Sequence, residues 1–557
     1  MTITTAAARA RDATALGAPT LPAAFQRTAA ERPREVALRA GAWSITWEEY
    51  AARVRRIAEG LASLGLGRGD TLALLLTNRP EFNLVDTAAM HLGATPFSLY
   101  PVAPAEQIAY VLRDADARVA VTEQALLPRL RESGAELDHV IVVDGPGGTM
   151  TLEQLEAAVA PGFDFDAAWR AVAPDDLITL VYTSGTTGPP KGVEHTHSSA
   201  LAICRAGDDV LGLQRRGRVL SYLSPAHLVD RLFSHWYAMT LGLTSTSCPD
   251  PMAVAALLPE VRPTVFVSVP RLWQKLRAVV ETAMADDLAA ADEAACERIR
   301  RRLGLDACTS ALAAAAPSQP ETLSFFNAIG VPLLDGYGMC EIAPIAAQRR
   351  GAAVPGTVGP AAPGVELRLD EDGEILVRGP GLMRGYRNHR DNPVDADGWF
   401  RTGDVGALNG DGCLRIVDRK KELIINDAGK NMSPANIEAA ITASSPLIGC
   451  ACVVGDRRPY NVALLTPDPL GAAAFARSQA MMPDDLASPA GRSLLRAEVA
   501  AAVEQANARL APHERIERHL LLSAEWRPGG DELTPTSKLK RRAIAERYAD
   551  QIERMYS

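Results

Sequence analysis

The sequence lacks several features that would place it in other large classes of protein. Nowhere do apolar residues run uninterrupted for the ~18–20 positions of a membrane-spanning helix, so we expect no transmembrane segment. Basic residues are not in excess, because 58 Lys and Arg stand against 67 Asp and Glu and the net charge is −9. A nucleic-acid-binding protein would present a basic face, so this balance argues against a nucleic-acid partner. The first 22 residues contain arginines but no apolar run long enough for a secretion signal, and none is expected.

Cysteine is sparse as well. The eight cysteines are scattered along the chain, and Cys450 and Cys452 are separated by one residue instead of the two to four that are typical of zinc sites. This spacing does not predict a zinc site. Together with the missing signal and membrane segment, it fits a protein of the reducing cytoplasm.

The length and the pattern of the chain indicate its organisation. At 557 residues the chain is longer than one ordinary hydrophobic core, so at least two domains are expected. Residues 1–20 are rich in alanine and threonine and are predicted to form a mobile lead-in. Between residues 47 and 144, amphipathic helical patterns alternate with short apolar runs. The alternation predicts an α/β fold with layers around a largely parallel sheet. Residues 358–379 predict a small antiparallel β unit, and residues 435–510 a small α+β domain.

The most informative segment covers residues 178–192. An apolar run predicts a short buried strand, after which hydroxyl side chains, glycines and one lysine follow. Glycines let the backbone turn closely around an oxyanion, hydroxyls donate hydrogen bonds, and lysine adds positive charge. The segment is therefore predicted to hold phosphate through Thr183, Ser184, Gly185, Thr186, Thr187 and Lys191.

This segment is not the P-loop of nucleotide hydrolases. That motif requires a glycine, four residues and then Gly-Lys-Ser/Thr, whereas the order here is Gly185-Thr-Thr-Gly188-Pro-Pro-Lys191. Pro189 and Pro190 also prevent a helix from starting directly after the glycines. A surface loop of Ser, Thr and Gly remains the alternative interpretation.

The stretch Tyr182-Thr-Ser-Gly-Thr-Thr-Gly-Pro-Pro-Lys-Gly-Val resembles the phosphate-loop signature of the adenylate-forming enzymes. This superfamily includes acyl-CoA synthetases, luciferases and peptide-synthetase adenylation domains, and the long-chain fatty-acid–CoA ligases are the suggested nearest relatives. Six segments resemble the family in order, from about residue 45 to 545. The resemblance implies a large N-terminal domain of layered α/β subdomains with a small β unit, residues 21–418, and a mobile α+β C-terminal domain, residues 419–557.

The second strong motif is Asp335-Gly-Tyr-Gly-Met-Cys-Glu341. An aromatic ring between two glycines can lie flat on a purine, and Glu341 is a hard oxygen ligand suited to Mg²⁺. Without context, a Gly-rich turn with a half-buried tyrosine is an equal alternative. The resemblance implies that Glu341 and Ser184 hold Mg²⁺ and that ATP contacts Asp335, Gly336, Tyr337, Gly338 and Cys340.

Two positions depart from the family pattern. Cys340 stands where relatives have a threonine that hydrogen-bonds the α-phosphate, and a thiol is a weaker donor, so we expect slower adenylation or a shifted acceptor position. A covalent role for Cys340 is an alternative, but no activating base is evident. Ala314 replaces the usual glycine of the segment along the adenine, to which Ala315 is also assigned, and its methyl group can shift or tighten that pocket.

A histidine follows the phosphate segment. A lone histidine is more often structural than catalytic. The resemblance nevertheless implies that His227 lines the acid pocket, and we assign it with the catalytic residues. The neighbouring Asp230 and Arg231 are expected to form a structural or helix-capping pair.

The resemblance also assigns residues near the domain boundary. Asp404 matches the aspartate that holds both ribose hydroxyls, and a carboxylate pairs well with a vicinal diol. Arg419 matches an arginine that reaches ribose and phosphate, and Ile416 is assigned beside it. Lys421 matches the hinge residue of the relatives, and Gly429 the glycine beside the pantetheine arm of CoA.

A lysine near the C-terminus completes the assignment. In the family, such a lysine enters the active site during adenylation and neutralises charge between carboxylate and α-phosphate, where one positioned donor is worth ~3–4 kcal/mol. Lys538 is the first choice and Lys540 the second. Relatives often have glycine where Ser537 stands.

The resemblance implies a reaction in two halves. A small-molecule carboxylic acid, fatty or aryl, attacks MgATP to give acyl-adenylate and pyrophosphate, and CoA then takes the acyl group. No residue is diagnostic for CoA, so activation of another anion is an alternative, for example nitrite with ATP for diazotising an aromatic amine. A catalytically decayed nucleotide-binding protein is a third interpretation. The oligomeric state is expected to be a monomer or homodimer.

Overall fold

The structure, a computed structural model, describes residues 15–183, 189–290, 292–389, 393–427 and 430–557. It contains two compact units. The N-terminal unit comprises the residues up to 368 together with 376–401 and 408–414, and the C-terminal unit comprises 369–375, 402–407 and 415–557. A large α/β unit followed by a smaller one agrees with the predicted fold class. The predicted domain limits at residues 418 and 419 stay a prediction.

The described chain begins in a packed segment. Residues 1–14 of the predicted mobile lead-in lie outside the described residues. Ala15–Gly17 form a 3₁₀ helix in which Leu16 is fully buried. Thr20 then caps the helix Leu21–Glu31 by accepting a hydrogen bond from the backbone N–H of Ala23. Residues 15–20 are thus anchored to the N-terminal unit.

An eight-stranded sheet is the centre of the N-terminal unit. Its six consecutive strands from Leu177–Thr183 to Met150–Thr151 are parallel, as predicted, and two antiparallel strands extend one side. Every residue of Thr71–Leu75 is buried, because helices cover both faces of a parallel sheet. In spatial order the strands are Gly385–Tyr386, Lys191–Thr196, Leu177–Thr183, Thr95–Ser98, Thr71–Leu75, Val119–Thr122, His139–Val142 and Met150–Thr151.

The first helices of this unit begin and end at recognisable signals. Thr46 and Glu49 form a capping box at the start of Trp47–Ser63, and Gly65 follows its end with a φ of +82°, which favours glycine. The remaining α-helices up to residue 241 are Pro80–His91, Ala105–Asp114, Leu127–Glu132, Leu152–Ala157, Phe165–Arg170, His197–Leu211, Leu228–Asp230 and Tyr237–Leu241.

Two further sheets complete the N-terminal unit. One contains, in order, Arg218–Ser221, Thr244–Ser247, Val36–Ala40 and Trp43–Thr46, and the other contains Val265–Ser268, Ser310–Ala313, Leu333–Met339 and Ile342–Ala347. The charged stretch 276–303 is divided among three helices, and the carboxylate of Asp292 caps the last of them. The helices after residue 250 are Val254–Val261, Pro270–Ala283, Ala285–Ala290, Glu293–Leu303 and Pro320–Ala328, with the 3₁₀ helix Pro251–Ala253 before them.

The predicted small β unit is a sheet of Glu366–Leu369, Glu374–Arg378, Phe400–Leu408 and Leu414–Arg419. The hairpin predicted around residues 370–373 is confirmed, because the backbone N–H of Asp370 donates to the carbonyl of Glu374 and Gly373 has a φ of +80°.

The C-terminal unit has a three-stranded sheet that is packed on both faces. Ala463 and Leu465 face one cluster of buried residues, whereas Val462 and Leu464 face another, because side chains alternate along a strand. The sheet contains Ile448–Val454, Asn461–Pro467 and Ile516–Leu521, and a short pair Ile424–Ile425 and Asn431–Met432 precedes it. The helices are Pro434–Ser444, Pro469–Ser478, Pro489–Asn507, Arg541–Arg547 and Ala549–Tyr556, with the 3₁₀ helix Pro483–Ala487.

No helix within the described ranges combines the length and the apolar composition needed to cross a bilayer. All eight cysteines are free thiols.

Candidate active site

The predicted phosphate segment connects two antiparallel strands. Leu177–Thr183 pairs with Lys191–Thr196, and Thr183 lies directly opposite Lys191 at the end of the ladder. The structure therefore brings the first and last residues of the predicted set together. Ser184, Gly185, Thr186 and Thr187 lie outside the described residues.

Lys191 lies beside an aromatic ring that the sequence analysis did not single out. Its Nζ is 4.9 Å from the ring centroid of Tyr386, a cation–π distance. The hydroxyl of Tyr386 donates to Oε1 of Glu341 at 2.7 Å. Lys191, the predicted phosphate ligand, and Glu341, the predicted metal ligand, therefore contact the same tyrosine.

The environment of Glu341 suits a Mg²⁺ ion. The side chain is buried, with 7% exposure, and within the described ranges no Lys, Arg or His lies within ion-pair distance of it. A hard carboxylate that no protein cation neutralises is the donor type that Mg²⁺ prefers. Glu341 therefore fits the predicted metal site, and Ser184, the second predicted ligand, is not among the described residues.

The backbone next to Glu341 is held by a buried histidine. Nε2 of His195 donates to the carbonyl of Cys340 at 2.7 Å, while Nδ1 lies 3.1 Å from the hydroxyl of Ser199. Burial lowers the pKa of His195 to about 4, so the ring is neutral at physiological pH. A neutral ring that donates from Nε2 accepts from Ser199 at Nδ1, and this arrangement fixes the Cys340 carbonyl.

The predicted adenine segment lies at the ends of neighbouring parallel strands. Ala313 pairs with Asp335, so Ala315, two residues beyond the strand Ser310–Ala313, is placed near the start of the Asp335–Glu341 motif. Ala315 has a φ of +72°, a left-handed conformation that is uncommon for a residue with a Cβ. Local backbone strain of this kind is frequent at functional sites.

The two glycines around Tyr337 have a packing role. A Cβ on Gly336 would meet the side chain of Leu312 at 3.1 Å, and a Cβ on Gly338 would meet Ala343 at the same distance. The glycines thus let neighbouring strands approach closely. They also leave Tyr337 without side chains on the residues before and after it.

Asp335 is a buried carboxyl group at the start of this motif. It accepts hydrogen bonds from the hydroxyl of Ser318 and from the backbone N–H of Gly336, both at 3.0 Å. Burial is the largest influence and raises the pKa of Asp335 to about 7. The group therefore titrates near neutral pH.

His227 is the N-terminal capping residue of a short helix. Its Nδ1 accepts from the backbone N–H of Val229 at 3.2 Å, so the ring caps the helix Leu228–Asp230. This capping bond is compatible with the predicted place in the acid pocket, which stays a prediction. Asp230 and Arg231, expected to be a structural or helix-capping pair, are both buried and contact different partners: Asp230 accepts from the hydroxyls of Ser221 and Ser234.

Arg231 belongs to a separate buried polar cluster. Nη1 of Arg231 pairs with Oδ2 of Asp86 at 2.6 Å, Nη2 donates to the hydroxyl of Ser98, and Nε2 of His235 lies 3.0 Å from the other Asp86 oxygen. Asp86, Arg231 and His235 are each at most 1% exposed. The cluster ties the π-helix Arg231–Trp236 to the helix Pro80–His91.

In the C-terminal unit, the predicted ribose aspartate and arginine are in contact. Nε of Arg419 lies 2.9 Å from Oδ1 of Asp404, on neighbouring strands. Ile416 lies on the same strand as Arg419, and Lys421 is exposed in the turn that follows. Gly429 lies outside the described residues.

Lys538 lies in a loop that its own hydrogen bonds define. The backbone N–H of Lys538 donates to Oγ1 of Thr534 at 3.0 Å, and its carbonyl accepts from the N–H of Thr534 at 2.8 Å. The ammonium group of Lys540 donates to the carbonyl of Gly530, whereas the exposed Lys538 ammonium has no such bond to any described residue. The two candidate lysines therefore differ in the contacts of their ammonium groups.

A model of the AMP-binding enzyme family matches residues 25–387, more than half of the chain. The chain belongs to the AMP-binding enzyme family. A second model, the AMP-binding enzyme C-terminal domain, matches residues 421–557. The predicted superfamily is thereby confirmed.

Named relatives of this AMP-binding enzyme include two mycobacterial proteins. One, from Mycobacterium tuberculosis and named fatty-acid–CoA ligase fadD11, is 43% identical over 453 residues, which cover 74% of this chain and 79% of the relative. The long-chain-fatty-acid–CoA ligase FadD15 of Mycobacterium bovis is 33% identical over 569 residues and 93% of each chain.

A solved structure shows the same fold. The O-succinylbenzoate coenzyme A synthetase MenE from Bacillus subtilis, in complex with AMP, matches with a TM-score of 0.73 at 23% identity, over 94% of this chain and 98% of that chain. The predicted fold class of this AMP-binding enzyme is therefore confirmed.

Tyr386 and the Asp86 cluster are the main features that sequence reasoning missed in this AMP-binding enzyme. Tyr386 follows Gly385 and is flanked by Arg384 and Arg387, a local pattern with no chemical signature. Only the pairing of Gly385–Tyr386 with Lys191–Thr196 places the ring at the site.

Proposed function

We propose that this protein is an ATP-dependent, AMP-forming ligase that activates a carboxylic acid, fatty or aryl, and transfers it to CoA. The observation that carries the proposal is the common contact of Lys191 and Glu341 with Tyr386, at the end of the predicted phosphate hairpin. It supports the proposal because the residues predicted to serve as phosphate cation and Mg²⁺ carboxylate contact the same tyrosine, in a chain whose relatives are named CoA ligases.

In the first half-reaction, a carboxylate oxygen of the acid forms a bond to the α-phosphorus of ATP. The bond from that phosphorus to the bridging oxygen breaks, and pyrophosphate leaves with the electron pair. Lys191 and Lys538 stabilise the negative charge that develops on the oxygens. Magnesium, held by Glu341 and Ser184, supplies charge neutralisation for the triphosphate when it is bound.

The remaining residues bind and orient the nucleotide. Tyr337, between Gly336 and Gly338, offers its ring to adenine, and Ala315 and Asp335 line the same end. Asp404 accepts from the ribose hydroxyls, and Arg419, 2.9 Å from Asp404, orients that carboxylate. We assign Ile416 beside Arg419, as in the family.

In the second half-reaction, the CoA sulfur attacks the acyl carbon. The bond from the acyl carbon to the adenylate oxygen breaks, AMP leaves, and the thiol proton passes to solvent. We assign Lys421 as the hinge residue and Gly429 to the pantetheine path, as in the family, and His227 to the acid pocket. Cytoplasmic location and a monomeric or homodimeric state belong to the same proposal.

A direct assay separates the candidate reactions. Pyrophosphate and AMP release is measured with fatty acids of several lengths, aryl acids and nitrite, each with and without CoA. A ligase releases pyrophosphate with a carboxylic acid alone, and it releases AMP together with a thioester when CoA is present. If CoA never changes the product for any acid, the CoA-ligase proposal is wrong, and pyrophosphate release with nitrite in place of a carboxylic acid would support the diazotising alternative.

Separate half-reaction measurements test the lysine assignment. Lys538→Ala is expected to lose adenylation while it keeps thioester formation from supplied acyl-adenylate. Lys540→Ala is the matched control, because its ammonium is bonded to Gly530. Equal losses in both half-reactions for Lys538→Ala would contradict the assignment.

A further inference from the structure

Tyr386 lies between two groups of opposite charge. The ammonium of Lys191 contacts the ring at 4.9 Å from its centroid, and the phenol hydroxyl donates to Glu341 at 2.7 Å. Lys191 and Glu341, both described, do not come within ion-pair distance of each other. One side chain therefore contacts both charges and separates them.

The backbone of Tyr386 is firmly held against the strand that carries Lys191. Gly385 and Tyr386 pair with Glu194 and Val193, and the N–H groups of Arg384 and Arg387 donate to the carbonyls of Glu194 and Gly192 at 2.9 and 2.8 Å.

Side chains reinforce this pairing. Arg384 forms two hydrogen bonds to Oε2 of Glu194, at 2.9 and 2.7 Å, and Nη1 of Arg387 lies 3.5 Å from its Oε1. A side chain on a backbone fixed from both ends can hold a neighbour in one orientation. Tyr386 is therefore positioned before any nucleotide binds.

Direct contact of lysine with glutamate would be harmful at such a site. An ion pair in a partly buried location would neutralise both groups and turn them away from phosphate and metal. A ring face attracts an ammonium more weakly than a carboxylate does, so the lysine charge stays available to an incoming phosphate.

We propose that Tyr386 is a positioning residue: its hydroxyl orients Glu341 for Mg²⁺, and its ring keeps Lys191 apart from Glu341 for ATP phosphate. The inference rests on the proposed function and adds a residue to it. The two parts of the side chain have separate tasks, so substitutions separate them.

Three variants test the two tasks. Tyr386→Phe removes the hydroxyl and keeps the ring, and Tyr386→Leu removes both. Tyr460→Phe is the matched control, because this half-buried tyrosine of the C-terminal unit also donates one hydrogen bond, to the carbonyl of Met555 at 3.0 Å.

The main measurement is equilibrium binding of ATP, without acid or CoA, at a series of Mg²⁺ concentrations. Tyr386→Phe is expected to bind metal-free ATP with wild-type affinity. It should need about tenfold more Mg²⁺ to reach half of the increase in ATP affinity that Mg²⁺ gives, because one hydrogen bond to a charged group is lost. In turnover, its kcat should recover at high Mg²⁺. Tyr386→Leu should in addition bind metal-free ATP about two- to fivefold more weakly.

The results distinguish failure of this inference from failure of the proposed function. If wild type forms AMP and Tyr386→Phe has the wild-type Mg²⁺ requirement, the inference is overturned. If Tyr460→Phe shifts the Mg²⁺ requirement equally, the effect is structural and the inference is overturned as well. If wild type forms no AMP with any acid, the proposed function is overturned, and the inference that rests on it with it.

Discussion

The buried pair of Asp86 and Arg231 allows a sharp prediction about stability. Asp86 is fully buried, Arg231 is 1% exposed, and His235 contacts the second carboxylate oxygen. Burial alone would raise the pKa of Asp86, but Arg231 and His235 outweigh it and the pKa lies below its ordinary value. Asp86 is therefore ionised in the folded protein, and removing it leaves the Arg231 charge without its carboxylate.

The magnitude follows from what remains after the substitution. Asp86→Ala is expected to lower the free energy of unfolding of the N-terminal unit by about 3–5 kcal/mol, because it leaves the other charge of a buried ion pair without its partner. Asp86→Asn should cost less, since the amide oxygen can still accept from Arg231. Asp86→Leu combined with Arg231→Met should recover most of the loss, because no isolated charge is left.

Urea unfolding followed by tryptophan fluorescence measures these differences, and Trp236 within the π-helix is a fully buried reporter. Glu31→Ala is the control: its exposed pair with Arg27 is worth about 0–1 kcal/mol. The reasoning would be refuted if Asp86→Ala cost no more than Glu31→Ala, or if the double variant were less stable than Asp86→Ala. The pair also predicts acid sensitivity, because a depressed carboxyl pKa contributes stability that is lost as the pH falls through that pKa.

Three further predictions concern single residues. Cys340→Thr should raise single-turnover pyrophosphate release about fivefold, because a hydroxyl is the stronger donor by ~1 kcal/mol, and an unchanged rate would contradict a phosphate contact at this position. Burial raises the pKa of Asp335 to about 7, so the free energy of unfolding should fall as the pH rises from ~4 towards 7. Asp335→Asn should reduce the pH dependence of the urea unfolding midpoint. The part due to Asp230 should remain, because burial also raises the pKa of Asp230 to about 7. Ser537 has a φ of +61°, so Ser537→Gly should leave the thermal midpoint of the C-terminal unit unchanged or raise it. Ser537→Val should lower the free energy of unfolding of that unit by about 1–2 kcal/mol. Equal midpoints for both variants would exclude strain at this position.

Local patterns predicted much of the fold. Within the region 47–144, whose alternating pattern predicted an α/β fold, one apolar run is the buried strand Thr71–Leu75 and one amphipathic pattern is the helix Ala105–Asp114. The strand Ile516–Leu521 was missed, because it lies at the edge of its sheet and exposes Glu517 and Arg518, so it has no continuous apolar run.

The candidate site was predictable only where its chemistry is contiguous in the chain. The pairing of Thr183 with Lys191 and the compact Asp335–Glu341 motif could be predicted because each lies within one short segment. Tyr386 could not, since its place depends on contacts such as Arg384 with Glu194, which are 190 residues apart. Asp86 and Arg231, 145 residues apart, meet through the same kind of long-range packing.

The sheet of the C-terminal unit has one further consequence. The buried residues that pack on its two faces all come from positions 424–555. A shortened polypeptide that begins near Lys421 would keep all the buried residues of both hydrophobic clusters. Such a fragment should fold when it is produced alone, and it would offer a small specimen for magnetic-resonance study of the Lys538 loop.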